Sequence, residues 1–245
     1  MPDPTPLLAP PLPDPDRSRV RWGQLYGAAL ALAIAEAARA HGGPVLVLAG
    51  TSREAEQLAA ELRFFADGDL PVGVLPDYET LPYDVFSPHP DITSQRLAAL
   101  AALPGRERGV LVAAVEAAMQ RLPPRSYVEA HTLVLEAGGS LDLDAFRGRL
   151  AAAGYASVTQ VVAPGEFAVR GSLLDVYPMG AAQPYRIDLF DADVDSIRVF
   201  DPDSQRSGEK LDAVRLLPAR EYPSTPDGIK DFRRRYRQRF EGDVT

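Results

Sequence analysis

Apolar and polar residues alternate most regularly between Pro164 and Phe200. Successive side chains of a β-strand point to opposite faces of the sheet, so this alternation predicts several short strands joined by turns. The face that can be buried carries Tyr185, Ile187 and Leu189, and after a turn Ile197 and Val199. The opposite face carries Arg186, Asp188 and Phe190, and after the turn Arg198 and Phe200. An aromatic ring therefore lies beside arginines on the face that we expect to be wetter.

A neighbouring upstream strand adds another outward arginine. Arg170 lies on the opposite side of that strand from Val169. Aromatic and arginine side chains exposed together are typical of protein-binding hot spots. The pattern therefore predicts a protein-binding surface formed by Arg170, Arg186 and Phe190. The alternative is that Phe190 is packed and that Arg170 or Arg186 only pairs with Asp188 or another nearby acid.

The first half of the chain alternates helical and strand-like segments. The predicted elements are a helix at 27–41, a strand at 44–50, a helix at 51–65, a strand at 71–76, a helix at 92–103, a strand at 109–115 and a short helix to residue 122. This order predicts an α/β layer with parallel strands. Because 44–50 is continuously apolar, we expect it to be buried on both faces of the sheet. Thr51 and Glu54 form a capping-box pattern that opens the second helix.

Pro123 and Pro124 are the best candidate for a domain boundary, because neither proline continues a helix, and the periodicity changes after them. A strand at 131–138, a helix at 141–154 and mainly strands at 156–217 predict a small, mostly antiparallel α+β domain. The predicted organisation is a disordered proline-rich leader at 1–16, an α/β domain at 17–126, the α+β domain at 127–217 and a helical segment at 218–245.

Composition excludes several classes of site and partner. The 245 residues contain no cysteine, which excludes disulfides and thiolate metal sites, and the three histidines lie in separate segments. The net charge of −8 disfavours non-specific attraction to nucleic acid or anionic membranes. The leader lacks the basic and apolar regions of a secretory signal, and no apolar run is long enough to span a bilayer. We therefore expect a cytoplasmic protein with no bound metal and no membrane partner.

The segment 226–240 is predicted to be a basic helix. Its cationic residues are Lys230, Arg233, Arg234, Arg235, Arg237 and Arg239. Such a run is compatible with nucleic-acid binding. A solvated or interdomain helix is the favoured interpretation, because the run stands alone at the end of an acidic chain.

The start of the first helix matches the frame of a phosphate-binding loop, G-x-x-x-x-G-K-[ST], only in outline. If Gly23 is the first glycine of the motif, Ala28 stands where the second glycine is required, and Gly27 lies one position before it. Ala29 then replaces the lysine, and Leu30 replaces the serine or threonine. The groups that bind phosphate and Mg²⁺ are thereby lost, so we predict no ATPase activity and no cofactor. On these residues alone, a chance pair of glycines before an ordinary helix is the favoured interpretation.

No catalytic residue is predicted. The motifs G-x-S-x-G and H-E-x-x-H are absent, as is any cysteine nucleophile, and the sequence around His89 offers no catalytic partner. The acidic residues Asp188, Asp191, Asp193 and Asp195 suggest a Mg²⁺ or Ca²⁺ site at first sight. Their spacing lacks the central glycine and the terminal glutamate of a calcium loop, so a solvated hairpin turn is favoured.

Four long motifs carry a specific family resemblance. They are LPDYETLPYDVFSPHPDITSQRLAAL (75–100), GEFAVRGSLLDVYPMG (165–180), PYRIDLFDADVDSIRVFDPDSQRS (184–207) and LLPAREYP (216–223). With these motifs in this order, the chain from residue 17 onward resembles the amino-terminal, UvrB-like region of the bacterial transcription-repair coupling factors (Mfd). The resemblance implies a degenerate RecA-like parallel-sheet domain that carries an inserted small α+β domain at 127–217 and resumes at 218.

The resemblance also implies a function for the inserted domain, which in this family is expected to bind UvrA. The family's UvrA-contacting positions fall on the patterns A-x-R-G, Y-R and D-x-F, which here give Arg170, Arg186 and Phe190. The chain is then a non-catalytic adaptor that recruits UvrA to stalled RNA polymerase. Alanine at Arg186 or Phe190 is expected to weaken UvrA binding without unfolding the domain.

Departures from UvrB narrow this interpretation. The family shares the loss of the phosphate-binding groups, so a decayed loop becomes favoured over a chance glycine pair. Between Tyr78 and Ile92 there is no room for the long tyrosine-rich hairpin with which UvrB enters DNA. The polymerase-binding domain and the DNA translocase of full-length members are not in the sequence. We therefore expect an amino-terminal fragment or truncated product, which reaches RNA polymerase and DNA only through regions outside it.

Two further hypotheses accompany the adaptor. Other domains of the full-length protein are candidates to mask the UvrA-binding surface within one molecule. The alternative function is that of a fragment of a UvrB-type ATP-dependent helicase or excision nuclease, with nucleotide- or DNA-binding activity.

Overall fold

The computed structural model describes residues 6–14, 16, 18–81, 84–223 and 225–240. The chain divides into two compact units, the first made of Met1–Asp84 and Ala102–Arg121 and the second of Val85–Ala101 and Leu122–Thr245. The division after Arg121 lies close to the boundary expected after residue 126. Residues 85–101 belong to the second unit, although the sequence pattern groups them with the first. Residues 1–5, 15, 17, 82–83, 224 and 241–245, which fall in the predicted leader, α/β domain and last segment, lie outside the described residues.

The elements of the described residues follow one another along the chain in a mixed order. They are α1 (Ala29–His41), β1 (Pro44–Ala49), α2 (Ser52–Ala66), β2 (Val72–Leu75), α3 (Pro90–Ala102), β3 (Gly109–Ala114), α4 (Val115–Met119), α5 (Arg125–Ala130), β4 (Leu133–Glu136), α6 (Leu143–Ala152), β5 (Ala156–Ser157), β6 (Glu166–Arg170), β7 (Leu173–Tyr177), β8 (Tyr185–Phe190), β9 (Asp193–Phe200), β10 (Ser207–Leu211), β11 (Ala213–Leu216) and α7 (Pro226–Arg239). Within the part of the chain that the structure describes, every helix is too short or too polar to cross a bilayer.

In the first unit, β1, β3 and β2 form a parallel sheet in that order. All residues of the central strand β3 are buried. The core contains small alanines from α1 and α2, together with Ile34, Leu62 and Val112. The predicted α/β layer with parallel strands is confirmed, whereas its RecA-like character stays a prediction.

Strand β1 contradicts the expectation that it is buried on both faces. Val45 and Val47 pack against the core of the first unit, but Leu46 and Leu48 are 60% and 54% exposed. Among the described residues, β1 pairs only with β3 and ends the sheet on its side, and α1 and α2 pack on the face that carries the two valines. The continuous apolar run is therefore an edge strand here, and β3 has the burial expected of a central one.

In the second unit, six strands form one sheet in the order β10-β9-β8-β7-β6-β5. All neighbouring pairs are antiparallel except β5 with β6, and β4 pairs separately with β11. The core contains Phe146 and Leu150 of α6 together with Leu174, Ile187 and Ile197 of the three strands β7, β8 and β9. The predicted small, mostly antiparallel α+β fold is confirmed for this unit.

Side-chain caps fix where α2 and α6 begin. Thr51 accepts a hydrogen bond of 3.2 Å from the N–H of Glu54, whose carboxylate accepts one of 3.0 Å from the N–H of Gly50. The predicted capping pattern of α2 is therefore present. At α6, the carboxylate of Asp142 accepts a hydrogen bond of 3.0 Å from the N–H of Ala145. Such caps satisfy backbone donors that have no partner within the helix.

Two further segments contribute little to these cores. Helix α7 begins after Thr225, whose hydroxyl accepts a 3.2 Å hydrogen bond from the N–H of Gly228, and it has no buried residue. In the leader, the Pro11 carbonyl accepts a 2.9 Å hydrogen bond from the Trp22 indole, and Pro10 is buried. Residues 6–14 form no helix or strand. Disorder of the leader stays a prediction.

Candidate functional site

Three neighbouring strands place the two predicted arginines on one face of the six-stranded sheet. In the antiparallel register, Asp175 of β7 lies opposite Ala168 of β6 on one side and opposite Arg186 of β8 on the other. Arg170 lies two residues beyond Ala168, and strand side chains repeat on one face every two residues. Together with Phe190, these arginines are termed the Arg–Phe surface (Arg170, Arg186 and Phe190).

A buried carboxylate joins the two arginines. Asp175 is 1% exposed and accepts hydrogen bonds from Arg186 Nε to Oδ1 at 2.7 Å and from Arg186 Nη2 to Oδ2 at 2.9 Å. Arg170 Nη2 also donates to Oδ2. Burying a carboxylate costs free energy unless it is paired and hydrogen-bonded, and two guanidinium groups pair with this one. Both arginines therefore do pair with a nearby acid, and that acid is Asp175.

Asp175 is the residue that sequence reasoning missed. The available signal was a single acid inside an otherwise apolar strand, Leu173–Tyr177. An acid at such a position needs a partner with the opposite charge. The register that brings Arg186 beside it follows from tertiary pairing, and the alternation pattern alone does not provide it.

Arg186 is fixed by contacts on several sides. Its Nη1 donates to the Gln205 carbonyl at 3.0 Å and to the Ser207 hydroxyl at 3.3 Å. Its guanidinium carbon lies 4.7 Å from the centroid of the buried Phe200 ring, at cation–π distance. The hydrogen bonds to Asp175 raise the pKa of Arg186 above its ordinary value. Its side chain is only 16% exposed, so Arg186 is largely buried beneath the exposed residues of this face.

Phe190 and Arg170 are the exposed members of the Arg–Phe surface. The side chain of Arg170 is 49% exposed and Phe190 is 77% exposed. Phe190 ends β8, directly after Leu189, which is buried in the core and whose N–H donates to the Ser172 carbonyl at 3.0 Å. The alternative in which Phe190 is packed does not describe this structure. The role of the three residues in binding stays a prediction.

The acidic residues near the β8–β9 turn do not assemble into a metal site. Asp191 has a positive φ of 58° between the two strands, a conformation that suits a tight hairpin turn. Among the described residues, no group of three or more histidine or acidic side chains is placed to hold a metal ion. His89 also has a local structural contact, because its Nδ1 accepts a 3.3 Å hydrogen bond from the N–H of Asp91 at the start of α3.

The segment before α1 lacks the geometry of a phosphate-binding loop. Such a loop joins a strand to a helix, whereas the described residues 18–26 contain no strand. Gly23 is buried and Gly27 has a φ of 55°. The helix then begins at Ala29, followed by Leu30, so alkyl groups occupy the positions of the lysine and the hydroxyl. The absence of nucleotide binding stays a prediction.

The chain is similar to proteins of one repair pathway. Residues 133–222, which include the Arg–Phe surface and Asp175, match the family model described as the UvrB interaction domain. The chain is 48% identical over 219 residues to the transcription-repair-coupling factor of Escherichia coli strain K12, covering 89% of this chain and 19% of the relative. For the factor of Haemophilus influenzae the identity is 40% over 236 residues, covering 96% and 20%. For that of Bacillus subtilis it is 32% over 184 residues, covering 75% and 16%.

The matches cover only a part of each relative. The chain spans about a fifth of the length of the first two relatives and less of the third. The matches confirm the resemblance that the sequence motifs predict.

Proposed function

We propose that the second unit of this chain is a docking module for UvrA. The premise is that the chain is a homologue of the transcription-repair-coupling factors and carries a UvrB interaction domain at 133–222. In this proposal the chain does no chemistry. It recruits UvrA in the cytoplasm, during transcription-coupled nucleotide excision repair, to RNA polymerase stalled on damaged DNA. Contacts with RNA polymerase and DNA, and the translocase activity, belong to parts of the full-length relatives outside the matched fifth.

The observation that carries this proposal is the exposure of Phe190 on a sheet that also presents an anchored arginine. An aromatic ring that is 77% exposed lies on the same face of the sheet as Arg170, whose guanidinium is tied to a buried carboxylate. Exposed aromatic and arginine side chains on a rigid support are the usual centres of binding energy in protein interfaces. The strands β6, β7 and β8 supply that support.

The charges of the site indicate what a partner must offer. Arg170 is the half-exposed cation of the Arg–Phe surface, because Arg186 is enclosed. A partner that presents a carboxylate to Arg170 and an apolar pocket to Phe190 would complement both groups. Because the chain as a whole is acidic, it would repel a uniformly acidic partner surface. The charge complementarity must therefore be confined to the contact with Arg170.

A calorimetric titration of purified UvrA into the chain tests the proposal. We expect Phe190→Ala and Arg170→Ala each to cost about 2 kcal/mol or more of binding free energy, which is roughly a 30-fold loss of affinity. Phe190 is exposed, so Phe190→Ala should change the free energy of unfolding little. Arg170→Ala also removes one of the two partners of the buried Asp175 carboxylate, so its affinity is compared for the folded protein, alongside its measured stability.

Matched controls are available in the same chain. Phe64, on α2 of the first unit, is 79% exposed, and Phe64→Ala should retain wild-type affinity. Arg147 on α6 is 50% exposed and pairs with Asp144 at 3.6 Å, so Arg147→Ala matches Arg170→Ala in exposure and charge. Wild-type affinity in both Phe190→Ala and Arg170→Ala would refute the assignment of the Arg–Phe surface.

A further inference from the structure

We infer that Asp175 is a positioning residue of the Arg–Phe surface, and that Arg186 contributes to docking by holding Asp175 and not by touching the partner. The inference rests on the proposed function. Of the three predicted residues, Arg170 and Phe190 then contact the partner. Arg186 acts indirectly, through the buried carboxylate of Asp175.

The hydrogen bonds of Arg186 support this division. Its Nε and Nη2 both donate to Asp175, and its Nη1 donates to Gln205 and Ser207. A guanidinium has five N–H groups, and these four contacts leave one. With its side chain 16% exposed, Arg186 has little left to offer a partner.

Arg170 has the complementary arrangement. Its Nη2 donates to Asp175, and this is the hydrogen bond that the structure shows for its side chain among the described residues. Half of the side chain is exposed, so the remaining N–H groups can reach a partner that approaches the sheet face. Asp175 thus fixes one end of the guanidinium and leaves the other end open.

Positioning has a direct effect on affinity. A free arginine samples many rotamers, and ordering such a side chain at an interface opposes binding. An arginine already fixed by a buried carboxylate has lost that freedom on folding, so binding no longer has to order it. Arg186 matters in the same way, because its hydrogen bonds to both carboxylate oxygens hold Asp175 in place from the opposite side.

The competing explanation is that Asp175 only stabilises the sheet. In that case its loss would lower stability and leave the affinity of the folded molecules unchanged. A double-mutant cycle with Arg170 separates the two explanations, because a positioning effect disappears once the positioned side chain is removed.

The test is the affinity for UvrA of Asp175→Asn in the wild-type and in the Arg170→Ala background. Asparagine keeps the shape of the side chain and removes its charge. We expect a three- to ten-fold loss of affinity in the wild-type background, about the cost of ordering one long side chain. In the Arg170→Ala background, we expect less than a two-fold further loss. The control is Asp144→Asn, which removes an exposed carboxylate that pairs with Arg147 on α6 and should leave affinity unchanged.

A second measurement needs no variant and covers the case in which Asp175→Asn does not fold. Arginine side-chain NMR spectra of the free wild-type chain should show hindered guanidinium rotation for Arg170 and Arg186, and free rotation for Arg147. Freely rotating Arg170 would overturn the inference.

The remaining outcomes are equally decisive. An equal loss of affinity on Asp175→Asn in both backgrounds would mean that Asp175 affects docking by a route other than Arg170. It would overturn the inference while leaving the proposed function in place. Unchanged affinity on Asp175→Asn would also overturn the inference and leave the proposed function in place. If the wild-type chain does not bind UvrA at all, the proposed function itself fails and the inference fails with it.

Discussion

The side chains of the Arg–Phe surface differ in the freedom that folding leaves to them. Phe190 and Arg170 project from the sheet, whereas Arg186 is enclosed by a buried acid, a backbone carbonyl, a hydroxyl and an aromatic ring. Substitutions at the exposed positions should therefore report on binding. A substitution at the enclosed position should report on stability as well.

Arg186→Ala should destabilise the second unit. The change leaves the buried carboxylate of Asp175 with Arg170 as its remaining partner, which is half exposed. Breaking a buried ion pair typically costs 3–5 kcal/mol, and the surviving partner should reduce this to about 3 kcal/mol. Urea denaturation followed by circular dichroism measures the change. That alanine here weakens UvrA binding without unfolding the domain stays a prediction, now with an expected loss of stability.

Arg147→Ala is the matched control for this prediction. It removes an arginine from an exposed pair on α6 and should cost less than about 1 kcal/mol. Equal stabilities of the Arg186→Ala and Arg147→Ala proteins would show that the contact with Asp175 is not a significant part of the folding free energy.

The period-two alternation predicted the faces of β8 but not all of β9, where Phe200, expected on the wetter face, is 1% exposed and packs with Val161 and Ala168. In β8, Ile187 and Leu189 are buried, and Phe190 projects from the other face, because strand side chains alternate with period two. The burial of β1 was not predictable, since Leu46 and Leu48 are exposed by the position of that strand in the order β1-β3-β2. Strand order is a tertiary property, and a continuous apolar run contains no information about it.

The candidate site shows the same limit. The alternation found the exposed Arg170 and Phe190, which are local features of single strands, but it also predicted an outward Arg186, whose side chain is 16% exposed. It could not find Asp175 as their shared partner, because that pairing depends on the register between β7 and β8. The sequence supplied only the lone acid between Leu174 and Val176.

The junction between α6 and the strands that follow it depends on one buried phenol. The Tyr155 hydroxyl donates to the Leu217 carbonyl at 2.6 Å, and burial raises the pKa of Tyr155 above its ordinary value of 10.0. Tyr155→Phe should cost about 1–2 kcal/mol near neutral pH, because the carbonyl loses its donor inside the protein.

The same substitution should change the alkaline dependence of stability. Above pH 10 the unfolded chain ionises this phenol while the folded protein keeps it neutral. Its contribution is therefore fully present below pH 10 and is lost as the pH rises towards the raised pKa. Denaturation series at increasing pH should show a shallower alkaline loss for Tyr155→Phe. Tyr222→Phe, at an exposed position, should keep the wild-type slope, and identical slopes for both variants would contradict this account.

At the scale of the whole molecule, the proposed adaptor function requires no nucleotide site. The helix start at Ala29 and Leu30 offers neither a cation for phosphate nor a hydroxyl for Mg²⁺. Equilibrium titration with ATP and Mg²⁺ should therefore detect no saturable binding at millimolar nucleotide. An ATPase with an intact phosphate-binding loop is the positive control in the same assay. Saturable, Mg²⁺-dependent binding would instead favour the alternative of a helicase fragment.

The central claim, that UvrA docks on the Arg–Phe surface, is tested most directly by hydrogen exchange of the whole chain with and without UvrA. The account predicts that slower exchange in the complex is concentrated at residues 170–173 and 188–193, where the exposed arginine and phenylalanine project from the sheet. Unchanged exchange in both segments, together with protection confined to α1 or α7, would contradict it.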